Sequence, residues 1–321
     1  MAALGRSGVE VSPIGFGGAA LGNLYTEVTE ADARATIDAA WDAGTRFFDT
    51  APHYGLGLSE RRIGAALAER PRDRYTISTK IGRLLVPDPA GAGDDVEGGF
   101  AVPADQRRVW DFSADGVRRS LDDSLERLGL DRVDLLLIHD PDDHWEQAVG
   151  EAYPALHELR AQGVIGAIGA GMNQSAMLTR FVRETEIDAV LMAGRYTLLD
   201  QSAEADLLPA CAERGVSVIA AGVFNSGVLA TDDPPENATY NYAPAAEEIR
   251  ERALRIGAVC RRHGVSVPAA AIAFVARRPE VATILIGART PDEIRSNAVS
   301  AAAEVPDALW TDLAAEGLIT A

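Results

Sequence analysis

The chain has 321 residues, of which 47% are hydrophobic and 24% are charged, and its formal net charge is −18. This acidic balance argues against nucleic-acid binding, because a binding face must neutralise phosphates with clustered Lys and Arg. The absence of an apolar run of about 18 residues, of a signal-peptide pattern and of more than two cysteines predicts a cytoplasmic protein without a membrane span, disulfide framework or metal site.

Short apolar runs alternate with longer amphipathic stretches, which is typical of repeated βα units. Several of the runs are apolar throughout, as strands buried on both faces are. Eight strands are predicted, at Ile14–Gly18, Thr45–Thr50, Tyr75–Lys80, Val133–His139, Val164–Ala170, Ala189–Gly194, Val216–Ala221 and Thr283–Ala288.

Helix signals lie between these runs. Thr29, Ser59 and Ser113 stand where N-caps are expected, and Pro291 suits the first position of a helix. The predicted helices run to Ala43, over Glu60–Glu69, Val117–Leu128, Trp145–Ala161 and Glu204–Arg214, and over Asp292–Ala302. Eight strands, each followed by a helix, predict an α/β fold: a single (β/α)₈ TIM barrel over residues 1–321, preceded by a small N-terminal hairpin.

Two Gly-, Pro- and Asp-rich segments interrupt this rhythm, at Arg83–Phe112 and Phe224–Pro244. Loops of this length without secondary structure are uncommon in compact domains and are usually functional. Both follow predicted strands, so in a barrel both would emerge at the C-terminal face, where active sites lie.

Four polar residues converge on that face if the barrel is correct. Asp49, Lys80 and His139 end the second, third and fourth strands, and Tyr54 follows the second. Lys80 is also the one lysine among thirty basic residues, in a sequence that otherwise uses Arg for every cation.

The four residue types fit one reaction. Reducing a carbonyl requires a proton donor at its oxygen while a hydride reaches its carbon, and alcohol oxidation runs these steps backwards. A tyrosine can serve as the acid or base, because an adjacent ammonium favours the phenolate and lowers the pKa of a phenol from about 10. Asp49 would keep Lys80 charged, and a neutral His139 would orient the substrate oxygen.

The chain resembles the aldo-keto reductase superfamily in segments that span nearly its whole length. These are FFDTAPHYGLGLSERRIGAAL, ISTKIG, DLLLIHDPD, LRAQGVIGAIGAGMNQ and ILIGARTPDEIRSNA. The resemblance implies that Asp49, Tyr54, Lys80 and His139 form a catalytic tetrad, with Tyr54 as general acid and base. It also implies an NAD(P)(H) cofactor across the C-terminal rim of the barrel.

Further residues match the cofactor-binding positions of that family. Asn173 matches the residue that holds the nicotinamide carboxamide. The segment that wraps the pyrophosphate corresponds to Phe224, Asn225, Ser226, Gly227 and Leu229. The residues at the adenosine end correspond to Gly287, Arg289, Glu293 and Asn297.

Three positions depart from the family pattern. Ala193 stands where the family often has a Gln beneath the nicotinamide, and Ala221 stands where an aromatic often stacks on the ring, so Phe224 or Tyr196 is expected to replace that packing. Glu293 occupies the position of an Arg that grips the 2′-phosphate of NADP. A carboxylate repels that phosphate and can accept a bond from a free ribose hydroxyl, so NAD is the predicted cofactor, with NADP possible through Arg289.

Within the family, the segments AGRYTLLDQ and GAGMNQ are most similar to the sugar 1-dehydrogenases, namely the D-threo-aldose and L-fucose dehydrogenases, and to pyridoxal 4-dehydrogenase. The resemblance implies NAD(P)-dependent oxidation of the C1 hydroxyl of an aldose, with pyridoxal oxidation or general aldehyde and ketone reduction as alternatives. His53, Phe100 and Trp110 are candidate substrate contacts. The sequence does not indicate an oligomeric state.

Two other interpretations compete with this one. Gly15-Phe16-Gly17-Gly18-Ala19-Ala20 fits the dinucleotide fingerprint G-x-G-x-x-A, but no helix pattern starts directly after it, so a glycine-rich barrel strand is favoured. A non-catalytic NAD(P)(H)-binding sensor or subunit on the same barrel is the alternative from a different functional class.

Overall fold

A computed structural model describes residues 1–96, 98–241 and 243–320, and in this part of the chain eight parallel strands close into a barrel. The predicted (β/α)₈ fold is therefore confirmed. The barrel strands are β3 (Ile14–Gly17), β4 (Phe47–Asp49), β5 (Thr76–Ile81), β10 (Leu135–His139), β11 (Ala167–Met172), β12 (Ala189–Ala193), β13 (Ser217–Ala221) and β16 (Val281–Gly287).

The helices surround this barrel. They are α1 (Glu30–Asp42), α2 (Leu58–Leu67), α3 (Ala114–Leu128), α4 (Trp145–Gln147), α5 (Tyr153–Ala161), α6 (Ser175–Glu184), α7 (Leu207–Arg214), α8 (Glu247–Arg262), α9 (Val267–Ala276), α10 (Pro291–Ala302) and α11 (Asp307–Ala315). A π-helical turn, Ala148–Ala152, joins α4 to α5. Thr29 and Ser113 accept the predicted capping hydrogen bonds from Asp32 N and Gly116 N.

The predicted N-cap at Ser59 is wrong. The helix α2 begins at Leu58, one residue after Gly57, whose φ of 81° places it in the left-handed region. The Ser59 hydroxyl lies inside the helix and donates to the carbonyl of Gly18 at 2.8 Å. Its role is thus to bind the helix to the chain that follows β3.

Hydrophobic side chains pack on both faces of the barrel wall, which explains why the strands are apolar throughout. Inside the barrel, Phe47, Leu135, Leu137 and Ile219 belong to one buried cluster. The same cluster includes Leu4 and Val11 from the N-terminal hairpin, β1 (Ala2–Ala3) and β2 (Glu10–Val11), which closes the barrel at the end opposite the candidate site.

The two long segments are more ordered than the sequence predicted. In the first, β6 (Arg83–Pro87) pairs with β9 (Gln106–Trp110), and β7 (Asp94–Asp95) pairs with β8 (Phe100–Pro103). In the second, β14 (Thr239–Tyr240) pairs with β15 (Ala243–Pro244). Glu97 and Tyr242 of these segments lie outside the described residues. No helix in the described part of the chain is long and apolar enough to cross a membrane.

Gly15 lies within β3, where its neighbours leave no room for a side chain. A Cβ atom there would come within 2.8 Å of the Phe47 ring and 2.7 Å of Leu285. The glycine-rich run is therefore part of a barrel strand, as favoured over the dinucleotide fingerprint.

Candidate active site

The four residues predicted to form a tetrad lie together at the C-terminal rim of the barrel. Asp49 and His139 end β4 and β10, and Lys80 is the penultimate residue of β5. Tyr54 lies on the loop between β4 and α2, with its backbone N–H donating to the carbonyl of Ala51. Neighbouring parallel strands thus deliver three of the side chains, and a short turn delivers the fourth.

A buried ion pair forms the base of this site. Lys80 Nζ lies 2.9 Å and 2.7 Å from Asp49 Oδ1 and Oδ2, and it donates a third bond to the Thr50 carbonyl at 2.8 Å. The Ser78 hydroxyl also donates to Asp49 Oδ1. Lys80 is 1% exposed and Asp49 is 3% exposed. All three ammonium protons therefore have acceptors, which is the condition under which a buried charge is tolerated.

The ring of Tyr54 lies over this pair and against His139. Lys80 Nζ is 4.7 Å from the centroid of the Tyr54 ring. The centroids of Tyr54 and His139 are 6.0 Å apart, with the rings nearly perpendicular at 88°. The ammonium thus lies under the aromatic ring of Tyr54, the predicted general acid and base.

Both histidines of the site are neutral. Burial, together with the charges of Arg83 and Lys80 and the nearby His53, lowers the pKa of His139 well below its ordinary value. Burial and the cations Arg83, Arg108 and Lys80 lower the pKa of His53 to about 2. A neutral imidazole keeps one N–H donor and one acceptor, so His139 can hydrogen-bond a substrate oxygen without competing for its proton.

A second buried carboxylate braces the strand that carries Lys80. Glu60 is fully buried in α2 and accepts hydrogen bonds from Thr79 Oγ1 at 2.6 Å and from Arg127 Nε at 2.5 Å. Thr79 precedes Lys80 on β5, and Arg127 lies in α3. One carboxylate therefore ties two helices to the strand beneath the site.

The three candidate substrate contacts are divided between two walls. His53 and Phe100 pack against each other, with ring centroids 5.2 Å apart, and each also contacts the Tyr54 ring. Phe100 is buried, so it shapes the site from behind. Trp110 is 45% exposed and lies on the other wall, where it stacks with Phe112 and His144.

The predicted pyrophosphate segment is a tightly turned loop after β13. Asn225, Ser226 and Gly227 have φ angles of 46°, 58° and 102°. Asn225 Oδ1 is buried and has no hydrogen-bond partner among the described residues, while Ser226 and Gly227 are exposed. Phe224 is half-buried. Leu229 is fully buried, and its backbone N–H donates to the Phe224 carbonyl at 3.1 Å within the loop.

The residues predicted for the adenosine end follow β16. Gly287 pairs with Gly17 of β3, which leaves this part of the rim without side chains. Glu293 accepts hydrogen bonds from the Arg289 backbone N–H at 2.8 Å and from its guanidinium at 3.1 Å. Asn297, in the second turn of α10, lines a separate cleft of about 270 Å³ between α10, β3 and the end of α1.

Asn173 lies at the rim after β11, where its side chain is exposed and its carbonyl accepts a bond from Arg195. The expectation that Tyr196 replaces the missing ring stacking is wrong. Tyr196 is 3% exposed and packs on Phe274 of α9, with centroids 5.0 Å apart, in the layer outside the barrel. Of the two aromatic residues expected to replace that stacking, Phe224 remains the candidate.

These features fit an extended dinucleotide. The buried Asn225 Oδ1 has no hydrogen-bond partner among the described residues and so leaves an acceptor for a ligand donor, and the facing Gly17 and Gly287 leave a cradle that a Cβ would narrow. The exposed amide of Asn173 completes a polar path along the rim.

Sequence reasoning missed two charged residues of the site, Arg83 and Asp140. Their ion pair measures 2.5 Å, and Asp140 Oδ2 also lies 3.5 Å from His139 Nε2. The positions of these two residues in the sequence could have indicated that they belong to the site. Arg83 comes three residues after Lys80 and Asp140 comes directly after His139, so both leave strand ends at the same rim.

Comparison with known proteins identifies the family to which this barrel belongs. The model of the aldo/keto reductase family matches residues 13–315, and the chain belongs to that family. It is therefore an oxidoreductase that uses a nicotinamide cofactor, as the resemblance predicted.

Its relatives include dehydrogenases of small polar compounds. A D-threo-aldose 1-dehydrogenase from a Pseudomonas species is 48% identical over 320 residues, covering 99% of this chain and 97% of the relative. Pyridoxal 4-dehydrogenase from Microbacterium luteolum is 42% identical, with coverage of 99% and 97%.

Solved structures agree in fold. The holo form of an aldo-keto reductase from Bacillus halodurans superposes with a TM-score of 0.77 at 25% identity, covering 99% of this chain and 95% of that one. The glycerol dehydrogenase of Gluconobacter oxydans gives a TM-score of 0.77 at 26% identity, covering 96% and 91%.

Proposed function

We propose that this protein is an NAD⁺-dependent sugar 1-dehydrogenase that oxidises the C1 hydroxyl of a cyclic aldose to the lactone. The observation that carries the proposal is the buried Lys80–Asp49 pair beneath the Tyr54 ring, beside a neutral His139. The 48% identical D-threo-aldose 1-dehydrogenase supports the choice of substrate class.

The proposed reaction removes one hydride and one proton from C1 and its hydroxyl. Bound NAD⁺ supplies the hydride acceptor. Tyr54, held as a base by the Lys80 ammonium, takes the hydroxyl proton as the C–H bond breaks and the carbonyl forms. His139 donates a hydrogen bond to the same oxygen and so fixes it between the two rings. Asp49 is a positioning residue, because it aims Lys80 and does not reach the substrate.

The Arg289–Glu293 pair supports a preference for NAD⁺ over NADP⁺. Arg289, the cation available for a 2′-phosphate, is engaged by the Glu293 carboxylate through its side chain and its backbone. That carboxylate would repel a phosphate and can accept a hydrogen bond from a ribose hydroxyl. We place this reaction in the cytoplasm.

The test is a substrate panel followed by the absorbance of the reduced nicotinamide. L-fucose and other aldoses, pyridoxal and simple alcohols are each offered with NAD⁺ and with NADP⁺. We expect the highest kcat/KM with an aldose and NAD⁺. Faster turnover of pyridoxal would move the assignment to the 42% identical relative's reaction. Tight NAD(H) binding without turnover of any compound would support a sensor instead.

Equal rates with NAD⁺ and NADP⁺ would contradict the role given to Glu293. They would leave the dehydrogenase assignment intact, because that assignment does not depend on Glu293.

A further inference from the structure

A line of polar contacts leads from His139 away from the tetrad. Asp140 Oδ2 lies 3.5 Å from His139 Nε2 and accepts a hydrogen bond from Arg83 Nη2 at 2.5 Å. The Arg83 guanidinium in turn lies 4.5 Å from the centroid of the Trp110 ring. Three side chains thus connect the proton-exchanging centre to the partly exposed indole of Trp110.

The backbone fixes the positions of these three residues. Arg83 and Trp110 are cross-strand partners at the base of the β6–β9 hairpin. Asp140 has a φ of 43°, in the left-handed region that a non-glycine residue rarely adopts, and its N–H donates to the Gly171 carbonyl at 3.0 Å. Strain of this kind persists where the surrounding structure holds it, and it is frequent at functional sites.

The same residues line a cleft of about 480 Å³ at the rim. The lining also includes His144 and Asn173. Its volume is within the range of small-molecule sites. Asp140 links this cleft to the tetrad, because it lines the cleft and its Oδ2 lies 3.5 Å from His139 Nε2.

The Arg83 guanidinium is incompletely satisfied by the protein itself. Arg83 Nε is buried and has no hydrogen-bond partner among the described residues. Burial lowers the pKa of Arg83 and raises the pKa of Asp140, so both charged forms lack solvation that a ligand could restore. Polar groups of a ligand in the cleft would supply it.

We propose that Arg83, Asp140 and Trp110 form a subsite for the ring hydroxyls of the sugar, and that this subsite determines specificity for polyhydroxylated substrates. The proposal rests on the function proposed above. A carboxylate accepts hydrogen bonds from hydroxyls, a guanidinium donates to them, and the exposed part of the Trp110 indole offers apolar surface to the C–H groups of a pyranose ring. The subsite binds hydroxyls remote from C1, whereas the tetrad handles the reacting one.

The experiment compares two lactols that share the reacting group. L-fucose carries ring hydroxyls, and 2-hydroxytetrahydropyran has the same C1 hydroxyl in an otherwise unsubstituted ring. The measured quantity is the ratio of their kcat/KM values in the wild-type protein and in Asp140→Asn, Arg83→Gln and Trp110→Leu.

We expect each variant to lower this ratio by at least about tenfold, which is the scale of a hydrogen bond to a charged group. The loss is expected mainly in KM for L-fucose, so kcat/KM for L-fucose should fall further than kcat/KM for 2-hydroxytetrahydropyran. A matched control is Arg180→Gln, because Arg180 lies 3.8 Å above the Trp145 ring on the outer helices and should not affect the ratio.

An equal loss for both lactols would overturn the subsite and make Asp140 and Arg83 supports for His139. Unchanged kcat/KM values for both lactols in all three variants would also overturn it, and would leave the sugar dehydrogenase assignment standing. Failure of the wild-type protein to oxidise either lactol would overturn the proposed function and the subsite together. Trp110, which is half exposed, provides the test if a variant at the buried pair does not fold.

Discussion

Lys80 Nζ lies 2.7 Å from Asp49 Oδ2, and the pair is shielded from water by the Tyr54 ring above it. Removing one partner of such a pair leaves the other charge buried and uncompensated, which costs about 3–5 kcal/mol. We therefore expect Lys80→Met to lower the free energy of unfolding by about that amount in urea titrations. It should also lower kcat by at least about a hundredfold, the scale of acid–base assistance.

The double variant Asp49→Asn/Lys80→Met separates these two effects. Neutralising Asp49 removes the uncompensated charge, so most of the lost stability should return while kcat stays low. Recovery of activity together with stability would show that Lys80 acts on folding alone.

We predict that the protein is stable with a buried Glu60 carboxylate only because Arg127 pairs with it. The carboxylate is fully buried, and Arg127 is its charged partner at 2.5 Å. Arg127→Met should lower the free energy of unfolding by about 3–5 kcal/mol. The matched control is Arg118→Met, whose ion pair with Glu158 is exposed and should contribute at most about 1 kcal/mol. Similar losses in the two variants would contradict the bracing role of Glu60.

The neutral His53 makes stability depend on pH. Its pKa is lowered to about 2 in the folded protein, whereas a free histidine titrates near 6.5. The unfolded chain therefore binds a proton that the folded protein rejects, so this contribution to stability is full above about pH 6.5 and is lost as the pH falls toward about 2.

The loss amounts to at most about 1.4 kcal/mol per pH unit for one proton. We expect His53→Gln to flatten the fall of the unfolding free energy between about pH 6.5 and 4. The exposed His157→Gln should keep the wild-type slope. An unchanged slope in His53→Gln would mean that His53 does not carry this linkage.

Glu293→Gln is expected to widen cofactor use. The change removes a negative charge where a 2′-phosphate would lie and frees the Arg289 guanidinium, now 3.1 Å from Glu293 Oε1. The ratio of kcat/KM for NADP⁺ over NAD⁺ should rise about tenfold, or roughly 1.4 kcal/mol. Asp292→Asn, which neutralises the neighbouring carboxylate paired with Arg295, serves as the control. A ratio that responds equally to both variants would indicate a general charge effect.

The fold was predictable because each barrel unit repeats the same local signals. Thr29 and Ser113 cap helices as predicted, since a hydroxyl before an amphipathic run has few other partners. Ser59 misled the prediction because its hydroxyl finds a tertiary acceptor in Gly18. The helix α9, Val267–Ala276, gave no usable period, because most of its residues are buried and apolar on every side.

The site residues that end strands were predictable from the sequence. Those that depend on contacts between distant parts of the chain were not. Asp49, Lys80 and His139 could be placed from strand ends alone. The contact between Arg83 and Asp140 joins positions 57 residues apart. It depends on the β6–β9 hairpin, which the sequence presented only as a Gly- and Pro-rich loop.

The chain contains a single lysine, and its side chain is 1% exposed beneath Tyr54. Aldehydes condense with lysine amines to form Schiff bases, and reducing sugars and pyridoxal are both aldehydes or their cyclic forms. Arginine takes the place of lysine at every other basic position, so the outer surface presents no lysine amine to such compounds. A protein built in this way can work among reactive carbonyls without accumulating glycation adducts on lysine side chains.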